Sequence, residues 1–165
     1  MPERGAEGGR PLLFLLCRLG EEIFAIEAAQ VGEVLPMVQV TPLARAPRGV
    51  AGLINHRGTP VPVVDLGLLA LGRPAPRKLS TRIVLVRASE PEERPRWLGL
   101  ILEHATETLR REPEAFLSPG VAAGVSASLG PVLTDERGLI QWIDLRRILP
   151  AEVRQALLRQ PSELT

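Results

Sequence analysis

Residues 52–66 read Gly-Leu-Ile-Asn-His-Arg-Gly-Thr-Pro-Val-Pro-Val-Val-Asp-Leu, and no other stretch restricts the fold as strongly. Two apolar runs flank a short polar turn, the pattern of a β-hairpin. Gly58 stands where such a turn needs positive φ. Pro60 and Pro62 are two residues apart, so their missing N–H groups fall on one side of the second strand. That side cannot donate to a ladder. The strand should pair through Val61 and Val63 and leave its other side at a sheet edge. Asp65 then predicts an N-cap for a helix over Leu66–Leu71. Nothing in this hairpin is built for chemistry, but its tip carries Arg57 on a stiff support, which suits presentation to a partner.

The rest of the chain repeats short strand patterns. Residues 11–18 and 22–26 read as two strands joined by a turn at Gly20-Glu21, with Phe24 and Ile26 on one face. Residues 28–34 space Val31 and Val34 by three, which predicts one or two helical turns, with Glu33 pointing elsewhere. Residues 35–40 follow as a strand and 41–48 as a Pro-containing loop. The basic, Pro-rich stretch 72–80 is the candidate subdomain boundary. Strands are expected over 82–87, 97–103, 105–111, 121–129, 132–134 and 139–143, with helical segments over 145–149 and 151–160. Residues 1–10, Gly-rich and polar, are expected to be disordered. Many short strands with frequent turns, and no helix long enough to cover a parallel sheet, indicate a mainly β protein of barrel or sandwich type.

Composition narrows the function. The chain has 20 Lys and Arg against 19 Asp and Glu, a balance unlike the concentrated basic face that duplex DNA calls for. Tyr is absent and aromatics are 3%, too few for the stacking platforms of a small-barrel nucleic-acid binder. Leu, Val, Ile and Ala must therefore fill the core. Cys17, the one cysteine, excludes an intramolecular disulfide and reads as a small core hydrophobe. The first ten residues lack a signal-peptide core and no window has the apolar length of a membrane span, so a cytoplasmic protein is expected.

No catalytic constellation is visible. The sequence lacks a GxxxxGK[ST] phosphate loop, a GxGxxG turn and any Cys/His cluster, so no cofactor and no metal site is expected. A nucleophilic triad would have to use His56 or His104, and no serine sits on a nucleophile turn. Asp65 lies one hairpin strand from His56, but His56 reads as a polar turn residue. Glu103 and Glu107, four apart, read as charges on a solvated strand face rather than as an acid/base pair.

The run Gly-Leu-Ile-Asn-His-Arg-Gly with Val-Pro-Val-Val-Asp-Leu resembles the signature of the CheW-like domain family, whose members couple chemoreceptors to a CheA-type histidine kinase. Phe14-Leu-Leu with Gly20 and Phe24-Ala-Ile resembles the family's opening hairpin, and Val31-Gly-Glu-Val34 the short helix that follows it. Thr41-Pro-Leu and Pro47 resemble the approach to the signature, residues 98–103 a later strand, and 139–149 the closing strand and Asp-Leu turn. The resemblance spans residues 12–150. Here His56 replaces a commonly apolar residue, Glu103 a usual Asp, and Glu107-Thr108 a more apolar ending, while residues 90–96 lengthen one hairpin tip.

The resemblance implies two packed five-stranded SH3-like β-barrels with short helices and an apolar groove between them. It implies one barrel from about 22–72, the other from about 11–18 plus 81–145, within a domain of 11–150 followed by a helical tail over 151–165. It also implies a non-enzymatic adaptor whose partners are a chemoreceptor's cytoplasmic tip and the regulatory domain of a CheA-type kinase, without nucleic acid or direct membrane insertion. Partner binding is expected at Val31, Glu33, Arg57 and Gly58, with Val31 exposed beside the groove and Val34 in the core. A scaffold role in a non-motility signalling system is the alternative within the same fold.

Overall fold

The computed structural model describes residues 9–118, 130–144, 149, 151, 154 and 155. The expectations for 1–8, the strand at 121–129 and most of the two C-terminal helical segments lie outside the described residues. Within them run nine strands: β1 (Leu12–Leu19), β2 (Glu22–Glu27), β3 (Val31–Pro36), β4 (Val50–His56), β5 (Thr59–Asp65), β6 (Thr81–Arg87), β7 (Trp97–Arg111), β8 (Val132–Asp135) and β9 (Gly138–Trp142). One short helix, α1 (Leu66–Leu71), follows β5.

Two small β-barrels share the long strand β7. In barrel one, β3 pairs β6, β6 pairs the first half of β7, β7 pairs β5, and β5 pairs β4. In barrel two, the second half of β7 pairs β1, β1 pairs β2, β2 pairs β9, and β9 pairs β8. Each ring is sealed by one bridge from the chain that leaves its edge strand: Thr41 with Leu53 in barrel one, Leu117 with Val132 in barrel two. The ladder thus groups residues 22–27 with β1 and β9, and residues 81–87 with β3. The division at 22–72 against 11–18 plus 81–145 does not follow the hydrogen bonding, because β2 and β6 each pair with the other group.

The continuous apolar run of β1 has a simple cause. Leu15, Cys17 and Leu19 face a core with Phe24 and Ile26, whereas Phe14 and Leu16 face a second core with Ile23 and Ala25. Both faces of the β1–β2 hairpin are buried, so both must be apolar. This hairpin is the wall between the barrels.

The hairpin of β4 and β5 forms as read. Arg57 and Gly58 have φ of 53° and 85°, the two positive values that a two-residue turn of this hand requires. The Gly58 N–H donates to Asn55 Oδ1 at 2.8 Å. β5 meets β7 only from Val63 onward, so Pro60 and Pro62 lie where no ladder needs their missing donors. Asp65 Oδ1 caps α1, accepting from the Gly67 and Leu68 amides at 2.8 and 3.3 Å. It also accepts the Ala75 amide at 3.0 Å. Ala75 is buried in core one, so the stretch 72–80 is packed against barrel one rather than being a boundary between subdomains. Its Pro and Arg content reads as a linker, but Asp65 and Ala75 tie it down.

Candidate interaction corner

The segment expected to be helical over 28–34 is not. A single 3-10 turn covers Ala28–Gln30, and Val31–Pro36 is strand β3. Two valines spaced by three also fit a strand with one inserted residue. The insertion is seen as a register shift in which Val31 faces Val86 and Glu33 faces Leu85. Gly32 is the extra residue, and it lies under the Trp97 ring, which a Cβ there would meet at 2.5 Å. A bulge of this kind re-aims the side chains that follow it.

The exposure of the two valines is the reverse of that expected. Val31 is half-buried and packs against core one, whereas Val34 is 38% exposed. The cause is the strand period: beyond the bulge, Glu33 and Leu35 are the more covered positions and Val34 and Pro36 the open ones.

The re-aimed Glu33 reaches the hairpin tip. Its Oε2 lies 3.3 Å from His56 Nε2 and 3.6 Å from Arg57 Nη2. The Arg57 side chain is 79% exposed and that of His56 only 19%. Glu33, Arg57 and Gly58 thus converge at one corner, with Gly58 holding the turn. Val31, two residues earlier on β3, packs inward instead. His56 was not expected there. Residue spacing carries no signal for a contact between positions 33 and 56. The carboxylate and guanidinium form a partly exposed pair, worth at most about 1 kcal/mol to folding. Their geometry matters more: Glu33 restrains Arg57 from one side while leaving most of its guanidinium free.

The other singled-out side chains have structural surroundings. The Asp65 carboxylate is occupied by backbone amides, so it does not orient His56. Glu103 is not on a solvated face. It is 3% exposed, with Lys78 Nζ at 3.9 Å, His104 Nε2 at 3.8 Å, and Oε1 without a hydrogen bond. An irregularity in the β1–β7 pairing and a positive φ at His104 turn the strand there. Glu107, beyond the turn, is exposed and pairs with Arg137 at 3.6 Å. The two carboxylates therefore do not form a pair. Among the described residues no group of His, Cys, Asp and Glu is arranged to hold a metal ion, and no helix is long and apolar enough to cross a membrane.

Comparison with known proteins agrees with this architecture. Residues 13–153 match the CheW-like domain, and the chain belongs to that family. A chemotaxis protein CheW of Rhizobium meliloti is 28% identical over 151 residues, covering 90% of this chain and 93% of the relative. A chemotaxis protein CheW of Klebsiella aerogenes is 26% identical over 146 residues, covering 84% and 82%. The crystal structure of the scaffolding protein TtCheW from Thermoanaerobacter tengcongensis superposes with a TM-score of 0.75 at 20% identity, covering 92% of this chain and 96% of that one. That likeness is one of fold: mainly β, built of SH3-like subdomains.

Proposed function

We propose that this chain is a non-enzymatic cytoplasmic adaptor that couples the cytoplasmic tip of a chemoreceptor to the regulatory domain of a CheA-type histidine kinase. The observation that carries the reading is the corner of Glu33, His56 and Arg57. It sets a charged, mostly exposed Arg57 on a hairpin stiffened by two prolines, beside a partly covered Glu33 from β3 and a largely covered His56, in a chain whose relatives are chemotaxis proteins. A rigid support lowers the ordering cost of binding, so an exposed arginine there can contribute affinity that a floppy one cannot. Arg57 also offers the planar, multi-donor geometry suited to carboxylates and backbone carbonyls on a partner.

The test is titration of the purified chain against a receptor cytoplasmic fragment and against the kinase regulatory domain. Arg57→Ala and Glu33→Lys should each weaken binding to at least one of them by about tenfold or more, equivalent to about 1.4 kcal/mol. Both should melt within the range of ordinary surface substitutions, about 0.5 kcal/mol. Unchanged affinity for both partners would refute the role of the corner. Failure of the parent chain to bind either partner would refute the adaptor reading itself.

A further inference from the structure

Leu79 is 99% exposed, while the next most exposed large apolar side chain among the described residues, Leu117, is 66% exposed. A singly exposed leucine is ordinary, but on a braced loop it is held in one place, where a partner can find it. This loop is braced. Buried Thr81 accepts the Lys78 amide at 2.8 Å through Oγ1 and donates the same hydroxyl to the Pro76 carbonyl at 2.5 Å. The Thr81 N–H donates to the Lys78 carbonyl at 3.0 Å, and the His104 N–H to the Ser80 carbonyl at 3.0 Å. Arg82 Nη1 donates to the Leu79 carbonyl itself at 2.6 Å. The turn is held on both sides of Leu79 and by its own backbone.

Charge is concentrated around it. Residues 72–82 contain Arg73, Arg77, Lys78 and Arg82 and no acid, in a chain of net charge +1. Lys78 approaches the buried Glu103. Among the described residues no carboxylate lies within ion-pair distance of Arg73, Arg77 or Arg82. The three arginines therefore have no acidic partner in the described part of the molecule; Arg77 donates to Met37 Sδ, and Arg82 to the Leu79 and Thr81 carbonyls.

We infer that Leu79 and the cations around it form a second docking knob, which seats in an apolar socket rimmed by carboxylates on a folded partner domain. A convex knob does not suit a helical hairpin, which needs a trough to lie in. A desolvated apolar anchor inside a ring of complementary charge is the arrangement that gives a small contact both affinity and orientation. The inference rests on the adaptor reading, and on that reading it assigns the knob to the kinase regulatory domain and leaves the receptor tip to the Glu33–Arg57 corner. An adaptor that joins two proteins at once needs two separate surfaces. The knob begins at Arg82, which faces Pro36 on the β3–β6 ladder, three residues along β3 from Glu33.

The experiment uses the full chain, the purified kinase regulatory domain and a receptor cytoplasmic fragment, with each binding measured separately by association and dissociation kinetics. Leu79→Ser should weaken kinase binding about tenfold or more, mainly through faster dissociation. Arg77→Glu should act mainly on association and reduce its dependence on salt. Both variants should melt like the parent and bind the receptor fragment normally. Kinase binding by Leu79→Ser equal to that of the parent overturns the inference while leaving the adaptor reading intact. Loss of receptor binding alone overturns the assignment of the knob to a folded domain. A parent chain that binds neither probe removes both the inference and the reading beneath it.

Discussion

The two barrels hold their cores in different ways. Core one is large and almost wholly aliphatic, with Val63, Val64, Val84, Leu100 and Ile101 completely buried and Ile143 and Leu149 added from the chain beyond β9. Core two, among the described residues, has eight buried members and relies on aromatic rings. Phe14, Phe116 and Trp142, three of the five aromatic residues in the chain, meet with centroids 5.0–5.2 Å apart in tilted and edge-on arrangements. Many small side chains share the load in one barrel, and a few large ones carry it in the other. A small ring can enclose little area, so large side chains with favourable edge-to-face geometry do most for it. The difference predicts unequal tolerance. Phe14→Ala should cost about 3–5 kcal/mol, whereas Val84→Ala in the many-membered core one should cost less, about 2 kcal/mol. Chemical denaturation of both variants is the check, and comparable losses would erase the distinction.

The seals of the barrels also differ. Leu53 and Thr41 exchange two backbone hydrogen bonds of 2.8 Å, and Leu117 and Val132 exchange two of 2.7 and 2.8 Å. Only the first lies beside a glycine without which it could not form. Gly52 has φ +147°, and a Cβ there would run into the Thr41 carbonyl. Gly52→Ala should therefore loosen barrel one at its edge, at a cost of about 1–3 kcal/mol. Amide exchange at Thr41 and Leu53 should accelerate, with the Leu117 and Val132 amides unchanged. Equal acceleration at both seals would show that the barrels open as one unit.

Local chemistry made much of this legible in the sequence. The 58-to-66 segment declared its turn and its cap through Gly58 and Asp65, because each of those residues constrains its own backbone. The paired prolines marked an open side only as far as Pro62, since from Val63 onward β5 pairs β7 and is not an edge strand. Other features depend on contacts between distant positions. The unbroken run Phe14-Leu-Leu-Cys17 shows a strand buried on both faces, but not that the two faces serve different cores. Val31 and Val34 at a spacing of three fit a helical turn as well as a bulged strand, and the bulge is selected by Trp97 packing over Gly32. The stretch 72–80 has linker composition, yet Asp65 and Ala75 bind it to barrel one. At the candidate interaction corner, the turn positions of Arg57 and Gly58 were readable from the sequence, and Glu33 entered through family resemblance. The contact of His56 with Glu33 was not readable, since it exists only once β3 and the hairpin tip are adjacent.

The reversed valines provide a finer comparison, within barrel one itself. Val31 contacts core one, and Val34, next to Glu33 of the candidate corner, is exposed. Val31→Ser should lower stability by about 1 kcal/mol through lost apolar burial and leave partner affinity unchanged after correction for the folded fraction. Val34→Ser should leave the melt within about 0.5 kcal/mol of the parent and weaken receptor binding if the docking surface extends along β3. Parallel melts and titrations separate the two. A Val34→Ser variant that melts well below the parent would place Val34 in the core after all.

The smallest expected effect is on the thiol at the wall. Cys17 is completely buried on the core-one face of β1, two positions from Leu15 and Leu19 on the same face. Burial pushes its pKa far above the usual thiol range, so the group is neutral across physiological pH. Only the thiolate is a competent nucleophile, and no path leads a reagent to it while the wall stands. The native chain should therefore show no labelling by an aromatic disulfide reagent on the timescale on which a free thiol reacts fully. The same probe tests how the barrels are coupled. Cys17 faces core one, but its strand neighbours Phe14 and Leu16 face core two. If β1 transmits the loss, Phe14→Ala should make Cys17 reactive through opening of the shared wall. If Cys17 stays protected while the aromatic cluster is lost, barrel two opens alone and the hairpin remains part of barrel one. Labelling of the unmodified chain at the rate of a free thiol would show that the wall is not closed at all.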